Sequence, residues 1–133
     1  MWLKDPKVAD MVAQVLRSAH ERGLCEIAAW VVMSNHVHLL MKPAARAADV
    51  MKWIKGVSAR KANEILRRAG QPFWQHESYD HWVRTSEEYR RILRYIEWNP
   101  VKAGLTAKPE LWPWSSATTA YEQAKACSTL CHM

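Results

Sequence analysis

His36 and His38 stand two apart in the run Trp30-Val31-Val32-Met33-Ser34-Asn35-His36-Val37-His38-Leu39-Leu40-Met41-Lys42. Side chains alternate along a strand, so both imidazoles share one face, with Leu40 beyond them. Two imidazoles so placed can share a metal ion. An isolated His-x-His is more often a polar sheet face, so the pair needs support from elsewhere. Tyr95 and Asn99 are four apart in a helical pattern, which sets them on neighbouring turns of one face. The Asn99 carbonyl oxygen can complete a metal site with His36 and His38. Water and a substrate phosphate then fill the remaining positions, a donor set that suits Mg²⁺ or Mn²⁺. Tyr95 as phenolate can attack phosphorus and form a covalent intermediate. Taken singly, Tyr95 reads as well as a core tyrosine, and Asn99 as a helix C-cap before Pro100.

These groups need elements to hold them. The patterning predicts two strands, Cys25 to Met33 and the histidine-bearing stretch to Pro43, around a tight Ser34-Asn35 turn. Val37, Leu39 and Met41 then face a core. Asp5 as N-cap and Pro6 as first helical residue open an amphipathic helix to about residue 22, where Gly23 can stop it. A second helical region runs from about Ala48 to about Arg68. Gly56 weakens its middle and Ser58 can cap a fresh start, so two helices fit as well as one. Tyr79 to Arg84 alternates as a third strand. Thr85 and Glu88 form a capping-box pattern for a helix that Asn99-Pro100 ends near Trp98. Trp112-Pro113-Trp114-Ser115-Ser116 makes an aromatic corner, and Ser115 or Ser116 can cap a last helix through Ala124.

Composition bounds the partners. A chain of 133 residues fits one domain, residues 1–133, and its 49% hydrophobic content with eight tryptophans excludes disorder. A net charge of +6 favours a polyanionic partner. Lys52, Lys55, Arg60, Lys61, Arg67 and Arg68 cover the outside of the second helical region as candidate phosphate contacts, though a solvated helix face reads as well. Trp53, Trp74 and Trp98 are candidates for stacking on bases, with core packing the commoner fate of tryptophan. His76 and His81 are weaker candidate ligands. Three cysteines, Cys25, Cys127 and Cys131, make no disulfide framework and point to the reduced cytoplasm. Cys127, Cys131 and His132 can be drawn as a metal cluster, but a frayed tail is the plainer reading. No apolar run spans a membrane.

The stretch Val32 to Leu40 around His36-Val37-His38 resembles the His-hydrophobic-His motif of the single-tyrosine HUH transposases. Tyr95-Ile96-Glu97-Trp98-Asn99-Pro100-Val101-Lys102-Ala103-Gly104 resembles the tyrosine helix of the REP-associated tyrosine transposase branch, as do Phe73-Trp74-Gln75 and Trp112 to Ser116. The likeness runs from about Trp2 to about Ala117. It implies an α+β fold of the ferredoxin-like HUH type, an antiparallel sheet packed by helices. It also implies cleavage and strand transfer of hairpin-containing single-stranded DNA, with a 5′-phosphotyrosine intermediate. In that scheme Tyr95 is the nucleophile, and His36, His38 and Asn99 hold Mg²⁺ or Mn²⁺. A nucleoid-associated cytoplasmic protein, monomeric or homodimeric, is the corresponding expectation. Members of this family usually begin with a strand ahead of the helix that here starts near Asp5. The sheet is therefore expected to lack that strand, leaving an open edge on the histidine-bearing side and an N-terminally short domain of uncertain activity. Two other readings compete: a truncated or domesticated relative that binds DNA without catalysis, and an unrelated His-x-His metal-dependent hydrolase.

Overall fold

The computed structural model describes residues 2–74, 79–118 and 129–133. A 3-10 turn over Trp2–Lys4 leads into helix α1, Pro6–Glu21. The Asp5 side chain accepts from the Lys7 N–H at 2.9 Å, as an N-cap does. At the other end Gly23 takes φ 75°, the Gly23 N–H donates to the His20 carbonyl and the Leu24 N–H to that of Ala19. These two bonds close the helix by the Schellman pattern, which needs a left-handed residue at Gly23.

Strands β1, Cys25–Val32, and β2, Val37–Pro43, form the expected hairpin. The Met33 N–H donates to the His36 carbonyl at 2.8 Å and closes the turn at Ser34-Asn35. Helix α2 is one helix, Ala47–Leu66, running through Gly56. Ser58 caps nothing: its hydroxyl is buried, donates to the Ile54 carbonyl at 2.6 Å and accepts the Trp74 indole N–H at 2.8 Å. Strand β3 is Tyr79–Trp82, and helix α3 is Ser86–Lys102. Thr85 caps α3 by accepting from the Glu88 N–H, while the Glu88 carboxylate reaches back to the Arg84 N–H.

Pro100 does not end α3. It lies buried inside the last turn, and the helix closes on Gly104 at φ 75°, with the Leu105 N–H donating to the Pro100 carbonyl. Proline removes one backbone N–H, a loss bearable here because Pro100 is itself buried and Ile96 one turn before it packs against the sheet.

Strand β4, Thr129–His132, sits between β2 and β3 in an antiparallel sheet of order β1-β2-β4-β3. Among the described residues a 3-10 turn and no strand precedes α1. The edge of β2 is nonetheless closed, because the C-terminal residues pair with it, and the frayed-tail reading fails for them. Val37 and Met133 exchange both backbone hydrogen bonds at 2.8 Å, and Met133 is buried. The aromatic corner covers the far edge of β1. The Val32 N–H donates to the Trp114 carbonyl, the Trp112 indole N–H to the Val32 carbonyl, and Val31 bridges to Ser115. Ser116–Thr118 is a 3-10 turn, and the predicted helix beyond it falls outside the described residues, as do His76 and Cys127.

Helices and sheet make an α+β fold with helices on both faces of the sheet. Val37, Leu39 and Met41 join Trp30, α1 and α2 in one apolar cluster; Val31 and Leu40 join Ile92 and Ile96 of α3 in the other. A bulge between Ile27 and Ala29 adds a residue to β1, so Ala28 and Ala29 both face the α3 side. Fully burying a side chain such as Trp30 or Leu39 contributes roughly 1.5–3 kcal/mol, so β1 and β2 are the rigid frame for what they carry. Among the described residues no helix is long and apolar enough to cross a membrane.

Candidate functional site

The site is built where β2 passes under α3. His38 pairs with Val31 of β1 and shares the face of Leu40, so its ring meets α3. The strand holds it 92% buried, with 8% of its surface exposed. His36 lies just before β2, in the turn, and its ring meets that of His38 edge-on at 4.6 Å between centroids. The His36 Nδ1 lies 2.6 Å from the Asn35 Oδ1. An amide oxygen only accepts, so Nδ1 is the donor in this contact, and the neutral ring that donates there has its lone pair at Nε2. A ligating imidazole is oriented in this way by a partner on its other nitrogen. Two imidazoles with one ring so fixed fit a divalent ion. Among the described residues no group of three His, Cys, Asp or Glu side chains surrounds a metal position.

Tyr95 comes from α3. Its ring stands 5.5 Å from that of His38, edge-on at 72°, and the side chain is 45% exposed. The helix is fixed in depth by Ile92 and Ile96. It is also fixed by Glu97, which hydrogen-bonds Ser116, whose hydroxyl accepts from the Trp30 N–H at 3.0 Å. Burial pushes the Glu97 carboxyl up from its ordinary pKa, and the Ser116 hydrogen bond opposes this. Asn99 lies one turn beyond Tyr95, half-buried, and its carbonyl accepts from the Ala103 N–H. Tyr89, the other tyrosine of α3, has a buried hydroxyl with no hydrogen-bond partner among the described residues. Burial raises its pKa and disfavours its phenolate. Cys25 is likewise no nucleophile, because burial pushes its thiol up to about 11.

The basic residues do not form one surface. Lys52, Arg60 and Lys61 line a groove of about 820 Å³ between α1 and α2, on the opposite side of the sheet from Tyr95. Arg22 of the loop after α1 joins them, with its guanidinium 5.5 Å from the Trp53 ring centre. Arg22 and Trp53 belong to this groove, and Arg22 was not among the basic residues that the sequence singled out. Lys55, half-buried on α2, is not among the residues that line the groove. Arg67 is the left-handed cap of α2 at φ 56°. Arg68 turns back on its own loop, donating to the Gln71 Oε1 at 3.2 Å and the Pro72 carbonyl at 3.4 Å. Of the tryptophans named for base stacking, Trp74 packs and bonds inside, Trp53 walls the groove, and Trp98 is 46% exposed on α3.

Known proteins resemble this chain in sequence and fold. A REP-associated tyrosine transposase of Escherichia coli is 28% identical over 92 residues, covering 68% of this chain and 53% of its own length. A putative REP-associated tyrosine transposase of Haemophilus influenzae is 24% identical, covering 68% of this chain and 58% of its own. The chain thus spans little more than half the length of these relatives. Among solved structures, a REP-associated tyrosine transposase bound to a REP hairpin superposes with a TM-score of 0.64 at 25% identity, over 80% of this chain and 62% of that one. The family model described as "Transposase IS200 like" matches residues 2–99, a span that takes in His36, His38, Tyr95 and Asn99, and the chain belongs to that transposase family.

Proposed function

We propose that this chain cuts and rejoins single-stranded DNA beside a hairpin, with Tyr95 as nucleophile. The observation that carries this is the exposed Tyr95 ring 5.5 Å from the buried His38 ring, on two elements that the core holds rigid. The Tyr95 phenolate oxygen attacks the scissile phosphorus. The bond from phosphorus to the 3′ oxygen breaks, that oxygen leaves as a hydroxyl after taking up a proton, and the 5′ phosphate stays on the tyrosine. Attack on the phosphotyrosine by another 3′ hydroxyl reverses the step and joins strands. His36, His38 and Asn99 are the residues that would hold Mg²⁺ or Mn²⁺, which when bound neutralises charge on the phosphate. His36, steadied by Asn35, keeps its lone pair at Nε2 for that purpose. The groove of Arg22, Lys52, Arg60 and Lys61 supports contacts to the phosphates of a hairpin stem. The hairpin on the solved relative supports the same class of substrate.

The groove and Tyr95 lie on opposite faces of the sheet, which favours one second reading, a DNA-binding protein that does not cut. One assay separates the two. Labelled hairpin single strands with Mn²⁺, run on a denaturing gel, are expected to give a protease-sensitive adduct that Tyr95→Phe lacks while still binding DNA. His38→Ala is expected to lower adduct formation by at least about 100-fold, more than loss of an outer-shell partner typically costs. DNA binding without any adduct from the wild-type chain would establish the binding-only reading.

A further inference from the structure

The exposed side of α3 carries more than Tyr95. Arg91, Tyr95, Trp98 and Lys102 recur at helical spacing and form one stripe, and all four are exposed. Trp98 follows Tyr95 by three residues, about 4.5 Å along the helix axis. Its neighbours Ile96 and Pro100 are the buried residues of this turn, and Ile96 belongs to the core. The indole is therefore not needed to fix the helix, and a half-exposed tryptophan is costly to leave in water. Trp74, Trp112 and Trp114 each donate their indole N–H within the protein. Trp82 is exposed too, but β3 aligns it through Thr129 with Met41, on the face of α1 and α2. Trp98 is thus the exposed tryptophan beside the nucleophile, between two cations of the stripe.

We propose that Trp98 is a stacking platform for an unpaired base next to the scissile phosphate, with Arg91 and Lys102 on the phosphates to either side. This rests on the reading that Tyr95 cuts single-stranded DNA. A flat ring with a free face takes any base, and flanking cations follow the backbone of a single strand. The Arg91 guanidinium is compatible with this duty, since its contact to Glu88 is long, at 3.7 Å, and its side chain is 73% exposed. A stacked base one helical turn from Tyr95 would hold the strand while the phosphorus meets the phenol, so Trp98 acts as a positioning residue.

The test uses the hairpin oligonucleotide that gives most adduct from a varied pool, remade with single abasic sites walked across the cut. In the wild-type chain, one abasic position adjoining the cut is expected to slow adduct formation about tenfold. Trp98→Ala is expected to be slowed about tenfold on intact DNA and to lose its sensitivity to that abasic site. Trp98→Phe, which keeps a ring, should recover most of the rate, and unchanged melting of both variants separates stacking from folding. Adduct formation by Trp98→Ala at the wild-type rate, or with the same abasic profile as the wild type, would overturn the platform while leaving Tyr95 in its role. No adduct from the wild-type chain on any oligonucleotide would overturn the cleavage reading and the platform with it.

Discussion

Tyr95 and Tyr89 sit on the same helix six residues apart, and their surroundings decide between them. A nucleophile needs its oxygen within reach of substrate and its phenolate affordable. Tyr95 is 45% exposed beside His38, whereas the Tyr89 hydroxyl is buried and its pKa raised by that burial. Tyr89→Phe removes a buried hydroxyl that has no partner among the described residues. Adduct formation is therefore expected to stay within about twofold of wild type, and stability to hold or rise by up to about 1 kcal/mol. Loss of the adduct in Tyr89→Phe, with the fold intact by circular dichroism, would move the nucleophile to Tyr89. The His-Val-His spacing and the Tyr95–Asn99 interval were legible because each is a local period. Exposure was not, since a helical pattern with Ile92, Leu93 and Ile96 does not say how far a tryptophan at 98 stands from the sheet. For the same reason Arg68 read as a free cation, although it is spent on its own loop.

At the scale of elements, helix starts were more legible than helix ends. Asp5 and Thr85 cap as their side chains require, and Gly23 ends α1 because only a left-handed residue closes that pattern cheaply. Gly56 and Ser58 suggested a break in α2, and Pro100 an end to α3, yet both helices run on. Tertiary contacts outweigh those local costs: Ser58 is buried and bonded to Trp74, and Pro100 is buried. The true end of α2 falls on Arg67, a non-glycine residue at φ 56°. A Cβ in that region costs on the order of 1 kcal/mol, which glycine does not incur. Arg67→Gly is expected to raise stability by about 0.5–1 kcal/mol in urea unfolding. The same variant would weaken DNA binding if the Arg67 side chain touches phosphate, so melting and binding read two separate roles of one residue. A fall in stability would mean that the arginine side chain contributes more than its backbone costs.

At the scale of the molecule, the sheet depends on two segments distant from each other in the chain. β2 carries His38, and its free edge is closed by β4, whose residues Thr129 to His132 pair with Met41 to His38. No period in the sequence announces this, because four residues are too short for a pattern and pairing partners lie far apart. Without β4, β2 and β3 share no strand between them, the backbone of Val37 loses both bonds to Met133, and the core loses a buried methionine. Burying one methionine alone contributes roughly 1.5–3 kcal/mol, and each ladder hydrogen bond adds about 1 kcal/mol. A chain ending at Ser128 is therefore expected to lose at least about 3 kcal/mol, a large share of the roughly 5–15 kcal/mol that holds a domain together. Its exposed β2 edge would also favour association. Thermal melting by circular dichroism, with light scattering on the same samples, reads both effects. His38 is carried on that edge, so adduct formation should fall with the melt even though Tyr95, His36, His38 and Asn99 all remain. A shortened chain that melts like the full one and remains unassociated would show that β1 and the two helical layers hold the histidine strand unaided, and that β4 is dispensable to the site.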